Sequence, residues 1–136
     1  PHRLSTQPKA DCVAETAALV RRLGAEEWIG FNDGDARKLA QARSLLPDAW
    51  IFLDTPPGLA DVQPVLACTR THRFQAVVMH HSTVTPERVA SLVAAGLEVG
   101  AWTVNEPAAM RAMLQAGATR LYTDFPRRFL DLLNKG

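Results

Sequence analysis

From Leu97 to Pro126 the chain reads LEVGAWTVNEPAAMRAMLQAGATRLYTDFP, and this run constrains the fold more than any other. Leu97, Val99, Ala101 and Thr103 alternate with further apolar residues, which predicts a buried strand. Asn105 opens a helix, with Pro107 in its first turn. Ala108, Ala109, Met110, Ala112, Met113 and Leu114 are strong helix formers, and Gly117 ends the helix. A short strand, Leu121–Tyr122, follows and stops at Thr123-Asp124; Phe125-Pro126 starts a final helix. A βα unit is thus written twice in succession, with polar residues at both strand ends.

The same unit recurs upstream. Pro1–Pro8 reads as an extended segment broken by Pro8. Asp11 is a candidate N-cap for a helix whose apolar stripe is Val13, Ala17, Leu19, Val20 and Leu23, stopped by Gly24. Trp28–Phe31 is a strand, and Asn32, Asp33 and Gly34 turn the chain. Asp35 caps a helix carrying Leu39, Ala42, Leu45 and Leu46, which ends before Pro47. Trp50–Leu53 is a strand ending at Asp54. A weaker helix runs from about Leu59 to Thr69, with Pro64 weakening the signal in its middle. Phe74–Met79 is a strand running into His80-His81. Thr85-Pro86-Glu87 is a strong helix start, and that helix ends at Gly96.

Repeats of roughly 20–25 residues with short loops imply a parallel sheet covered by helices. Such repeats close into a barrel or form an open doubly wound sheet. No Gly-rich phosphate loop follows the first strand, which argues against the nucleotide-binding version. The expected fold class is α/β: βα repeats of a TIM-type (β/α)8 barrel. A full barrel takes about 250 residues and eight strands. The 136 residues are therefore expected to form a single incomplete barrel domain, with about the last five or six strands.

Bulk properties narrow the function. Hydrophobic residues are 47% and charged residues 21%, as in ordinary soluble domains. Fifteen Lys and Arg against fourteen Asp and Glu leave no field to attract nucleic acid. No apolar run approaches the roughly 18 residues of a membrane span. The chain opens on Pro1 without Met, so its natural N-terminus is expected upstream; the expected location is cytoplasmic. Cys12 and Cys68 lack metal spacing and read as two buried thiols, with a disulfide as the alternative.

The succession of strand, WTVN, an acidic-Pro pair, helix, Gly, strand and TDFP resembles the C-terminal end of the glycerophosphodiester phosphodiesterase family. The resemblance covers about Asp11 to Leu133. WIGFND is similar to the family strand that ends in Ser-Phe, with Gly30 in place of Ser. TPERVASLVAAGLEVGAWTVNEP is similar to the helix and strand leading to its Trp-Thr-Val-Asn, and RLYTDFP to its last strand. In that frame the chain carries barrel strands three to eight. The resemblance implies a metal-dependent phosphoric diester hydrolase of glycerophospholipid metabolism, using calcium or magnesium, with histidines as base and acid and glycerol 3-phosphate as product.

The residues that carry this chemistry are not at their places. The family's His-Arg pair and Glu-x-Asp pair belong to strands one and two. Its Glu-x-Lys falls on Ser5-Thr6-Gln7, where Ser5 brings no charge and Gln7 no ammonium. His2-Arg3 is not followed by Gly, and no Glu-x-Asp strand comes next. No catalytic residue, metal ligand or cofactor is therefore assigned within the chain.

Several polar groups remain at strand ends: Asn32, Asp54, His80, His81, Asn105 and Asp124. Such ends share one face of a barrel, where sites are built. The substrate-pocket candidates are Phe31, His80, His81, Trp102 and Asn105. Imidazole titrates near neutral pH. Adjacent strand residues point opposite ways, so only one of His80 and His81 is expected to face the pocket. By resemblance Trp102 walls the pocket against the glycerol or alcohol moiety; the plainer reading is core packing. Asn105 and Asp124 also read as caps of the helices that follow. Asn32, Asp33 and Asp35 lack the rest of a calcium loop. Arg21-Arg22 and Arg127-Arg128 read as solvated helix faces.

The expected function is that of a glycerophosphodiester phosphodiesterase-like protein, inactive as this chain alone; the alternative is a non-catalytic binding or oligomerisation domain. The expected partners are a glycerophosphodiester or other small phosphate ester, and a second copy or a partner segment completing the barrel.

Overall fold

The computed structural model describes residues 4–9 and 12–134. His2, Arg3 and the predicted cap Asp11 lie outside the described residues. The fold is α/β, with six parallel strands and alternating helices: the βα repeats of a TIM-type barrel, incomplete against its eight. The chain packs as two compact units, Pro1–Asp54 with Gln63–Ala76, and Thr55–Val62 with Val77–Gly136.

The first unit holds β1 (Leu4–Thr6), α1 (Val13–Arg22), β2 (Ile29–Asp33), α2 (Ala36–Leu45), β3 (Trp50–Asp54) and α3 (Gln63–His72). Ser5 pairs with Gly30, and Asn32 with Phe52, in parallel register. Because side chains alternate along a strand, Ser5, Gly30, Asn32, Phe52 and Asp54 share one face. A Cβ on Gly30 would lie 2.4 Å from Phe52 Cε2, so the Phe52 ring occupies the space a side chain at position 30 would need. The opposite face packs on the helices. Asp33 accepts the Asp35 amide at 2.7 Å and pairs with Lys38 of α2.

Helix ends follow the sequence closely. Asp35 caps α2 by accepting from the Arg37 amide at 2.9 Å. Pro64 does not interrupt α3; the helix begins at Gln63, so Pro64 sits in its first turn, where a missing N–H costs nothing. The apolar stripe of α1 is narrower than predicted. Val13, Ala17 and Val20 are buried, but Leu19 and Leu23 are 44% and 67% exposed. These two sit about one residue round the helix from the buried stripe, and with Thr6, Thr16, Val20 and Ile29 they border an apolar groove of about 200 Å³. Arg21 is more than a solvated charge, since it donates to the Leu45 carbonyl. Cys12 and Cys68 are half-buried rather than buried.

One buried cation ties this unit together. Arg43, in the last turn of α2, is 6% exposed. Its Nη1 donates to the carbonyls of Pro47 (2.6 Å) and Ala49 (2.8 Å). Its Nη2 donates to the Arg73 carbonyl (2.8 Å) and to Gln75 Oε1 (2.7 Å). Gln75 Oε1 also accepts the Ile51 amide at 2.9 Å, which fixes the start of β3. Arg73, which offers its carbonyl, stands at φ +54°, a left-handed conformation that costs a side-chain-bearing residue about 1 kcal/mol.

The second unit holds β4 (Ala76–His80), a 3-10 turn (His81–Thr83), α4 (Pro86–Ala94), β5 (Glu98–Trp102), α5 (Pro107–Gln115), β6 (Arg120–Leu121) and α6 (Pro126–Asn134). Thr85 caps α4 as predicted, accepting from the Arg88 amide at 3.3 Å, with Pro86 first in the helix. Ala101, Val104, Met110, Met113 and Ala118 form the core between β5 and α5, with Phe129 and Leu132 of α6 packed against it. On the other face of β5, a Cβ on Gly100 would meet Val78 and Tyr122. Glu98 and Arg120 pair at 2.8 Å at the start of that face.

Arg43→Lys should cost about 2–4 kcal/mol by urea denaturation, because one ammonium cannot serve four acceptors and leaves buried carbonyls unpaired. Arg73→Gly should gain up to about 1 kcal/mol in the same assay by relieving the positive φ.

Candidate functional site

The strand C-termini carry the polar residues, and each unit presents its own set. In the second unit β4 ends at His80 and β5 at Trp102. Their rings meet edge-on, with centroids 4.9 Å apart and planes at 85°. The alternation expected at His80-His81 does not hold. The strand stops at His80, and His81 begins the 3-10 turn, so the His81 ring folds back to 4.5 Å from the His80 ring. His80 Nδ1 accepts from the Ser82 amide at 3.3 Å and meets Ser82 Oγ at 2.7 Å. In a neutral ring that leaves Nε2 carrying the proton. The indole Nε1 of Trp102 is buried and has no hydrogen-bond partner among the described residues. Ring carbon, rather than the N–H, is therefore what Trp102 can offer a ligand.

Asn105 does not cap α5, as the cap reading expected. The residue that caps α5 is Glu106, and its side chain makes no cap bond. Asn105 instead reaches to the end of β6. Its Oδ1 accepts from the Asp124 amide (3.0 Å) and from Thr123 Oγ1 (3.2 Å), and its Nδ2 donates to Asp124 Oδ2 (2.8 Å). Both ends of the amide are engaged, which locks the two strand ends together. Beside this clamp lies an open cavity of about 530 Å³, bordered by Thr103, Tyr122, Asp124, Phe129 and Leu130.

In the first unit Phe31 is 1% exposed, on the helix-covered face that it shares with Asp33. Strand parity puts it there: the end of the opposite face belongs to Asn32. Ser5 Oγ donates to Asn32 Oδ1 at 2.7 Å, and Asn32 Nδ2 donates to Asp54 Oδ2 at 3.1 Å. Burial pushes the Asp54 carboxyl up to about 6, against the Asn32 hydrogen bond and with help from the neighbouring Asp33 charge. Sequence reading marked Asn32 and Asp54 as polar strand ends; their parity with Ser5 was the signal that joins the three.

The divalent cation implied by the family resemblance needs several oxygen ligands, usually with carboxylates among them. Among the described residues no group of three His, Cys, Asp or Glu is placed to hold a metal ion. Ser5 brings a hydroxyl already donated to Asn32. These residues do not fit such a cation.

Asp54 makes stability depend on pH. The folded carboxyl keeps its proton to about pH 6 and an ordinary one only to 3.8, so its contribution is whole below pH 4 and is lost as pH rises through 6. In a fully enclosed site the shift would be worth roughly 3 kcal/mol; solvent reaches Asp54 and reduces this to about 1–2 kcal/mol. Asp54→Asn should therefore gain about 1–2 kcal/mol on the parent between pH 4.5 and pH 8 in urea denaturation. A difference that is flat with pH would refute the perturbed carboxyl.

No curated protein is significantly similar in sequence. Among solved structures, a protein assigned as a glycerophosphoryl diester phosphodiesterase from Silicibacter pomeroyi DSS-3 is 26% identical, with a TM-score of 0.84, over 98% of this chain and 50% of that one. A glycerophosphodiester phosphodiesterase from Parabacteroides distasonis is 17% identical, with a TM-score of 0.76, over 98% of this chain and 56% of that one. An Oleispira antarctica phosphodiesterase, solved with the product sn-glycerol-3-phosphate, is 18% identical, with a TM-score of 0.79, over 97% of this chain and 54% of that one. The chain spans about half the length of these structures. The model of the glycerophosphoryl diester phosphodiesterase family matches residues 6–128. The chain belongs to that family.

Proposed function

We propose that this chain holds a glycerophosphate ester at the ends of β4 and β5, as part of glycerophosphodiester phosphodiesterase-type chemistry, and does not hydrolyse the diester by itself. The observation that carries the reading is the edge-on packing of His80 against Trp102 at 4.9 Å. It sets an imidazole beside an indole wall at the end of parallel strands, where ligands of such folds bind. The carbon face of Trp102 suits the glycerol or alcohol moiety, and His80 and His81 suit the phosphate. The sn-glycerol-3-phosphate held by the Oleispira antarctica relative supports this class of ligand. Hydrolysis needs carboxylates for a divalent cation, which the described residues do not bring together. Glycerophosphodiesters arise from glycerophospholipids, so the reading belongs to lipid metabolism. Among the described residues no helix is long and apolar enough to cross a membrane, which is compatible with a cytoplasmic location.

A second reading rests on exposed apolar surface. Leu4 and Trp28 are 73% and 59% exposed in the first unit; Phe125, Leu130 and Leu133 are 43–57% exposed in the second. Among the described residues the sheet order begins at β1 and finishes at β6, and each leaves an edge without a neighbouring strand. Open parallel edges invite pairing with another chain. Burying apolar area is worth about 25 cal/mol per Å², so a few hundred Å² contributes several kcal/mol. A second copy would supply this cover.

Titration with sn-glycerol 3-phosphate should show binding that Trp102→Ala weakens about tenfold, since a lost aromatic wall is worth about 1–2 kcal/mol. Purified protein should release no glycerol 3-phosphate from diesters with calcium or magnesium. Metal-dependent release abolished by His2→Ala would restore the His-Arg pair as catalytic. For self-association, the sedimentation coefficient should rise with concentration and stay at the monomer value in a Leu130→Asp, Leu133→Asp variant. A parent that is monomeric throughout would contradict the second reading.

A further inference from the structure

The hydrogen bonds at the end of the first unit's strands have a direction. Ser5 spends its only hydroxyl hydrogen on Asn32 Oδ1 (2.7 Å), and Asn32 passes an amide hydrogen to Asp54 Oδ2 (3.1 Å). Every donor points toward Asp54. The exposed Ser5 hydroxyl therefore offers solvent only lone pairs.

We propose that Ser5, Asn32 and Asp54 form a two-state relay in which a proton taken up by Asp54 reverses the Asn32 amide and frees Ser5 to donate to an anionic ligand oxygen. A proton arriving from solvent on Asp54 Oδ2 turns that oxygen into a donor, and its acceptor is the Asn32 carbonyl oxygen. The two ends of a carboxamide are nearly equal in shape, so Asn32 turns over without moving the backbone. Its Nδ2 then donates to Ser5 Oγ, which keeps one acceptor bond and releases its own hydrogen outward. No group changes position by more than a side-chain torsion.

The surroundings of Asp54 suit this switch. Burial and the charge of Asp33 favour the protonated carboxyl, and the Asn32 N–H favours the ionised one. Asp33 is itself paired with Lys38 of α2, so no lysine is free to hold Asp54 ionised from that side. Asp54 has no ion-pair partner among the described residues. Asp54 is thereby pushed up to about 6, and the balance between the two states lies there. The site takes an oxyanion on the acid side and refuses it once Asp54 carries its charge, because Ser5 then lacks a hydrogen and the carboxylate repels. The relay uses no residue of the His80–Trp102 pair and stands apart from that reading.

Sulfate is the probe, since its charge does not change between pH 5 and pH 7.5. Side-chain amide resonances of Asn32 should move with a midpoint near pH 6 in the parent and stay still in Asp54→Asn. Sulfate titrations followed at the Ser5 amide should show binding about five- to tenfold tighter at pH 5 than at pH 7.5. Most of that gain should vanish in Ser5→Ala, which keeps all charges. Two results would overturn the proposal. One is an Asn32 amide that does not respond while the Asp54 carboxyl titrates, meaning the proton sits on the outer oxygen. The other is an equal pH effect on sulfate in the parent and Ser5→Ala.

Discussion

The guanidinium of Arg43 holds three parts of the first unit to one point: the turn leaving α2, the residue before β3 and the turn leaving α3. It does so without touching a carboxylate. The negative end of the α2 dipole, a ring of carbonyls and the nearby Asp48 charge supply the counter-charge. Burial lowers the pKa of this arginine, but a guanidinium starts so high that it stays charged. Gln75 extends the arrangement by taking one hydrogen from Arg43 and one from the Ile51 amide. The first residues of β3 are therefore fixed by side chains as well as by the ladder. Asp54 lies at the far end of that same short strand. Whatever loosens the Arg43 cluster loosens the strand that aims Asp54.

In each unit the two faces of the strands are sorted by side-chain parity and by a glycine. Gly30 makes room for Phe52, and Gly100 for Val78 and Tyr122. Apolar rings and chains thereby fill the middle of the face turned from the helices. Polar groups are left to the strand ends: Asn32 and Asp54 in one unit, His80 and Trp102 in the other. A filled centre under a polar rim is the usual plan of parallel βα repeats, and it is why the rim is where chemistry is sought.

Most of the fold was legible because its signals are local. Strand runs, the caps Asp35 and Thr85, and glycines at helix ends act within a few residues. The errors arose where partners are distant in sequence. Asn105 looks like a helix cap until β6 arrives to take both ends of its amide. His80 and His81 look like opposed strand residues until the strand stops between them. Leu19 and Leu23 read as core on a helical wheel, yet both stay exposed beside the buried stripe of α1. Arg43, flanked by Ala42 and Ser44, carries no local sign that carbonyls from Pro47 to Arg73 converge on it.

The contact between Gly30 and Phe52 has a consequence for how this sequence can vary. The family strand ends in Ser-Phe where this chain has Gly30-Phe31. A serine at position 30 would place its Cβ 2.4 Å from Phe52 Cε2, so the ring would have to shift. Positions 30 and 52 therefore constrain each other sterically. A side chain at position 30 is thus accommodated most readily together with a smaller residue at 52 or a turned Phe52 ring.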